Sequence, residues 1–226
     1  MTVHMQKEIE NLKSMLLTLC AAVEKNLYLA VQSVKKRDAV LARSLIDDDV
    51  RIDQIEVDVE EECLKVLALH QPVAIDLRFI ITALKINSDL ERIGDLAVNI
   101  AERSEFLAGQ EPISVPFDFD TMSEKTQWMV TRSLDSLVAM DCGRAYQVCA
   151  ADDEVDALNR KMYEQVEASI VAHPTWAQGL LHLLSISRHL ERVADHATNI
   201  AEDVIYMVEG KIVRHKTENY KSDVRH

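Results

Sequence analysis

One stretch of this chain occurs twice. Residues 89–102 read DLERIGDLAVNIAE and residues 189–202 read HLERVADHATNIAE, so nine of fourteen positions are identical at a spacing of 100. The flanks repeat too. Asp49-Val-Arg-Ile-Asp53 answers to Asp152-Asp-Glu-Val-Asp156, and His70-Gln-Pro72 to His173-Pro174. In a chain of 226 residues, a period of this length means two copies of one unit. The divide falls at Gly109-Gln-Glu-Pro112-Ile-Ser-Val-Pro116, which holds two of the four prolines. The expected organisation is therefore one repeat over 1–112 and a second over 113–226.

Each copy has a helical period. Ile9, Leu12, Leu16, Leu19, Val23, Leu27 and Val31 form one stripe, and Ile52, Ile55, Val59, Cys63 and Val66 another, spaced by three and four. The chain pauses near Arg37-Asp38. Pro72 ends the second stretch, because its ring disfavours helix before it and it has no amide hydrogen to donate. A third helix is expected over about 75–107, and the second copy repeats the plan over about 118–141, 144–172 and 176–209, with Gly210 as a C-cap. The last residues, KTENYKSDVRH, read as a frayed tail. Only 5 glycines and 4 prolines are present, too few turn formers for an all-β chain. Long helices joined by short turns lie antiparallel, so the expected fold is all-α: two tandem three-helix bundles.

Charge narrows the partners. With 25 basic and 38 acidic residues the net charge is −13, which argues against binding nucleic acid or an anionic membrane surface and favours cations or a basic protein surface. No apolar run approaches 18 residues, so no membrane-spanning helix is expected, and MTVHMQKEIENLK does not read as a signal peptide. Cys20, Cys63, Cys142 and Cys149 form no CxxC pair and read as reduced, small buried hydrophobes of a cytoplasmic protein.

The acidic residues are ordered. At 100° per residue, Glu91, Asp95, Asn99 and Glu102 share one face of the third helix, and Glu191, Asp195, Asn199 and Glu202 share the equivalent face. On the second helix Asp49, Asp53, Glu56 and Glu60 align. In the second copy Asp152 and Asp156 keep that face, but Asn159 and Tyr163 take the next two places. Folding each hairpin at its proline brings residue 51 opposite about 93, and 154 opposite about 194. Two carboxylate pairs from different helices then meet at one height in each bundle: Asp49 and Asp53 with Glu91 and Asp95, Asp152 and Asp156 with Glu191 and Asp195. Carboxylates crowded in this way raise one another's pKa, and a multivalent cation relieves the repulsion. All-oxygen donors suit iron, Mg²⁺, Mn²⁺ or Ca²⁺ better than Zn²⁺.

Other residues carry weaker readings. His196 reads as a surface histidine beside Asp195, and Arg92 and Arg192 as neutralisers of nearby acids. Asp76-Leu-Arg78 reads as a helix cap with an ion pair or as a contact surface. Trp128 and Trp176 read as core or inter-bundle packing.

The run Gln71-Pro-Val-Ala-Ile-Asp-Leu-Arg78, followed by Leu90-Glu-Arg-Ile-Gly-Asp95 and echoed by Leu190-Glu-Arg-Val-Ala-Asp195, resembles the PhoU family over essentially the whole chain. The resemblance implies a six-helix pair of bundles that binds multinuclear metal clusters. Asp49, Asp53, Glu91, Asp95, Asp152, Asp156, Glu191 and Asp195 match its metal-binding motif. It also implies a negative regulator of phosphate uptake and of the phosphate-starvation response. Such a protein connects the ATPase of a phosphate ABC transporter to a sensor histidine kinase, reaches the membrane only through those partners, and often forms a homodimer. The chain departs from the pattern at Trp176-Ala-Gln178, where a Leu-Arg pair would stand, and at Asn159 and Tyr163. The alternative is a carboxylate-bridged metal enzyme or a metal-storage bundle. Di-iron bundles use Glu-x-x-His, and none of the 8 histidines has a Glu three residues before it. No phosphate-binding loop or nucleophile elbow is present, so no enzyme is expected.

Overall fold

The computed structural model describes residues 3–114 and 117–212. The expected tail at 216–226, and Val115 and Pro116 of the divide, lie outside the described residues. Among the described residues there are six long helices, α1 (Val3–Lys36), α2 (Ala39–His70), α3 (Ala74–Ala108), α4 (Phe119–Ala139), α5 (Cys142–Ala172) and α6 (Ala177–Glu209), with a single 3₁₀ turn over Pro174–Trp176. No strand occurs among the described residues.

Local chemistry sets the helix boundaries. The carboxylates of Asp38, Asp118 and Asp141 accept the backbone N–H three residues on and open α2, α4 and α5. Gly210 closes α6 in the left-handed region at φ 72°, its N–H bonded to the Tyr206 carbonyl. At the α2–α3 turn, Gln71 and Ala74 take left-handed φ values of 46° and 49° on either side of Pro72-Val73. Arg37 ends the turn after α1 and donates to the carbonyls of Leu107 and Gln110, each at 2.5 Å, so a residue about 70 positions earlier gives carbonyls at and just past the end of α3 a charged donor.

Helices α1–α3 form one three-helix bundle and α4–α6 the second, and α3 packs against α6 to join them. The expected stripe of α1 is buried from Ile9 to Val31, as are Ile52, Val59, Cys63 and Val66 of α2, while Ile55 is half-buried. One 18-residue window of α1 is apolar enough by composition to cross a membrane, which the absence of an unbroken apolar run does not suggest. Its core-facing stripe is buried in the bundle, while Leu17 and Tyr28 stay exposed.

The α3–α6 seam runs antiparallel. Arg78 lies against Gly210, Lys85 bonds Asp203, Asp89 bonds Asn199, and Phe106 stacks on His182 with ring centroids 3.9 Å apart. The register is centred close to Gly94 and Ala194, the middles of the two repeated segments. The bundles are therefore related by a pseudo-twofold axis perpendicular to the seam.

Candidate functional site

The two hairpins bring the acidic faces to the expected heights. In the first, Ile52 reaches the backbone of Gly94, and Asn87 Nδ2 donates to Glu56 Oε1 at 2.8 Å. Burial, with Asp53 and Asp95 adding repulsion, raises the Asp49 carboxyl above its ordinary value. Burial also raises Glu56, together with Glu91, Glu60 and Asp53. Asp49, Asp53, Glu91 and Asp95 thus share one field, and Glu56 belongs with them. Arg92 stands 3.5 Å from Asp95 and offsets part of the charge, in keeping with its expected role.

The second hairpin repeats this with fewer acids. Thr198 donates to Asp152 at 3.2 Å and Ser187 donates to Asn159 at 2.8 Å, so α5 and α6 meet in the same register. Asn159 sits where the first hairpin has Glu56, and Tyr163 is exposed. Asp195 is pushed up to about 6, first by burial, then by Glu191, Asp152 and Asp156, with His196 opposing. Burial raises Asp152 and Glu191 as well; Asp156 and Asp153 of its own helix and Glu202 of α6 add to the first, and Asp156 and Asp152 of α5 add to the second. Among the described residues, no three Asp, Glu, His or Cys side chains already converge as ligands around one point. Bare carboxylates repel, and their flexible stems let them stand apart.

A family model for the PhoU domain matches residues 16–104 and again 119–204, one match per bundle. The chain belongs to the PhoU family. Among curated relatives, the chain is 39% identical over 210 residues to the phosphate-specific transport system accessory protein PhoU homolog of Aquifex aeolicus, covering 93% of this chain and 95% of that one. It is 34% identical to the homolog of Clostridium acetobutylicum, covering 92% and 95%. The crystal structure of PhoU from Pseudomonas aeruginosa superposes with a TM-score of 0.88 at 35% identity, over 91% of this chain and 99% of that chain. The phosphate transport system regulatory protein PhoU from Streptococcus pneumoniae gives a TM-score of 0.81 at 26% identity, covering 92% and 99%.

Several residues of this PhoU-family chain stand where the sequence alone does not put them. His196 is half-buried, its Nδ1 2.8 Å from Asp89 across the seam, and does not turn to the carboxylates. Arg78 makes no ion pair with Asp76. Its guanidinium lies 5.7 Å from the Tyr206 ring and packs on Gly210, tying the start of α3 to the end of α6. Trp128 is 44% exposed and lines a groove of about 520 Å³ between α4 and α5, rather than packing in a core. Lys125 and Glu154 form an ion pair in that groove. Trp176 is half-buried and stacks on His173 at 4.2 Å. Cys20, Cys63 and Cys149 are buried, Cys142 is half-buried, and all four are free thiols. Sequence reading also passes over His182 and His189, half-buried next to Arg103 at one end of the seam. The signal is the repeat itself: aligned at a spacing of 100, His189 replaces Asp89 and Arg103 precedes Asp203.

Proposed function

We propose that this protein is a non-enzymatic, metal-binding negative regulator of phosphate uptake and of the phosphate-starvation response. On this reading it is a cytoplasmic adaptor, built as a homodimer, between the ATPase of a phosphate ABC transporter and a sensor histidine kinase, and meets the membrane through those partners. Membership of a family whose named relatives are accessory proteins of the phosphate-specific transport system supports the regulatory role. The observation that carries the metal reading is the register of the two hairpins, marked by Asn87 on Glu56 and Thr198 on Asp152, which sets carboxylates from two helices at one height in both bundles.

Asp49, Asp53, Glu91 and Asp95 would hold one metal centre, and Asp152, Asp156, Glu191 and Asp195 the other. The donor chemistry fits: oxygen-only sets favour iron, Mg²⁺ or Mn²⁺ over Zn²⁺. A bound cation would supply charge neutralisation and a bridge between helices. The chain's own part is to hold the carboxylates of two helices at one height.

Elemental analysis of the purified protein and of Glu91→Gln/Asp95→Asn tests this reading. The variant should lose the metal of the first centre and the chelator-sensitive part of its melting temperature, while its metal-free form is no less stable than the parent. Equal metal in both proteins would remove the assignment. For the regulatory role, deletion of the gene should derepress phosphate-starvation genes in phosphate-replete cells, and unchanged expression would count against it.

A further inference from the structure

The pseudo-twofold axis allows the two ends of the α3–α6 seam to be compared position by position. At one end Asp89 takes bonds from His196 at 2.8 Å and Asn199 at 3.2 Å, and Lys85 stands 3.4 Å from Asp203. Charges there are matched. At the other end the repeat places His189 for Asp89, Arg103 for Asp203, Ser185 for Lys85 and Arg188 for Ser88, and Arg192 keeps the place of Arg92. The matched set has become a cationic one within a chain of net charge −13.

The geometry of that end is open to solvent. Arg188 and Arg192 are exposed and Arg103 is half-buried. Arg188 and Arg192 make no ion pair among the described residues. Ser185 Oγ lies 3.2 Å from His189 Nε2 on the same face of α6, and His189 Nδ1 is buried without a hydrogen-bond partner. The register that stacks Phe106 on His182 and bonds Asp89 to Asn199 sets Arg103 opposite Ser185, and Arg188 and Arg192 stand one turn apart on the same stretch of α6. Two carboxylates border the cluster: Glu102, 4.0 Å from Arg103, and Glu191, beside Arg188 and Arg192.

We propose that Arg103, Arg188 and Arg192, with Ser185 and His189, form a binding site for a tetrahedral oxyanion of the phosphate class. Planar guanidiniums present paired N–H donors that match two oxygens of such an ion, and the Ser185 hydroxyl, positioned by His189, can add a third direction of donation. Neither nucleic acid nor an anionic bilayer suits the place, because the acidic surface around it repels extended polyanions. The site shares no residue with the carboxylate sets but borders the second of them at Glu191. It draws on the regulatory reading above only for the choice of phosphate as the probe.

The test uses the full chain treated with chelator, so that no metal ion can bridge phosphate to the carboxylates. Inorganic phosphate is titrated at constant ionic strength while arginine Nε–H and histidine signals are followed by NMR. Saturable shifts of Arg103, Arg188, Arg192 and His189 are expected. Arg188→Gln/Arg192→Gln, both at exposed positions, should weaken binding about tenfold or more. Arg144→Gln, at the distant start of α5 and paired with Asp141, should leave it unchanged. A parallel titration with phenyl phosphate separates the sources. Equal binding assigns the site to a phosphoryl group carried on a larger molecule, and binding of inorganic phosphate alone assigns it to the free ion. Shifts that sodium chloride reproduces, or affinity unchanged in the double variant, would overturn the proposal. Metal content is measured on the same proteins: metal lost with phosphate binding intact bears on the carboxylate centres alone.

Discussion

Asp89 and His196 stand 107 positions apart in the chain, and Oδ1 of one lies 2.8 Å from Nδ1 of the other. The same carboxylate takes a second bond from Asn199 at 3.2 Å, so Asp89 is the polar fastening of its end of the seam between the bundles. Both His196 and Asp89 are largely shielded, at 18% and 15% side-chain exposure, where hydrogen bonds to a charged group count for more than at an open surface.

Replacing Asp89 by Ala should therefore cost about 1–3 kcal/mol, because the donors of His196 and Asn199 lose their acceptor together. Urea denaturation of Asp89→Ala, His196→Ala and the double variant measures it. The double variant should lose clearly less than the two single losses combined.

Arg37→Ala should loosen the end of α3. Two carbonyls, of Leu107 and Gln110, lose their charged donor, at a cost of about 1–3 kcal/mol. Amide hydrogen exchange should rise in the last turn of α3 before it rises elsewhere in the first bundle.

Gly210 occupies a left-handed conformation at φ 72°, and a Cβ there would come within 2.8 Å of Arg78 Nη1. Gly210→Ala should destabilise by about 1–2 kcal/mol through the backbone alone. It should also push the Arg78 guanidinium off the Tyr206 ring. Arg78→Ala removes the steric part, so in that background the penalty of Gly210→Ala should shrink.

Asp195 gives the metal-free protein a pH dependence. Its carboxyl is raised from 3.8 to about 6, first by burial and then by Glu191, Asp152 and Asp156. The folded state therefore binds the proton more tightly than the unfolded state. Stability falls as pH rises from about 4 to about 6 and stays lower above that. Asp195→Asn removes the loss. In chelator it should match the parent near pH 4 and exceed it at pH 8, by on the order of 1 kcal/mol once solvent screening of this half-exposed group is allowed for. Melts across that range decide it, and a variant less stable than the parent at pH 8 would show that the acids around Asp195 do not repel it.

The hairpin heights were readable in advance because an α-helix rises uniformly, so a proline stop fixes which residues come opposite one another. Glu56 with Asn87 and Asp152 with Thr198 fall on that register. The pairing of α3 with α6 was not readable in the same way. It joins residues about a hundred positions apart, with no turn between them to set the register. The roles of His196 and Arg78 depend on that pairing, which is why local sequence suggested a surface histidine and a local cap. Trp128 misled for a different reason. Bulk and apolarity predict burial, but α4 turns this position toward the open groove beside α5.

The pseudo-twofold seam has one more consequence. Two separate copies of a single repeat, meeting about a true twofold axis, would have to present the same residue at both ends: an aspartate at position 89 would be an aspartate twice. Joining the copies in one chain removes that obligation. Asp203 and Arg103 can then differ in sign across an otherwise symmetric interface, and each end of the seam is free to take on a chemistry of its own.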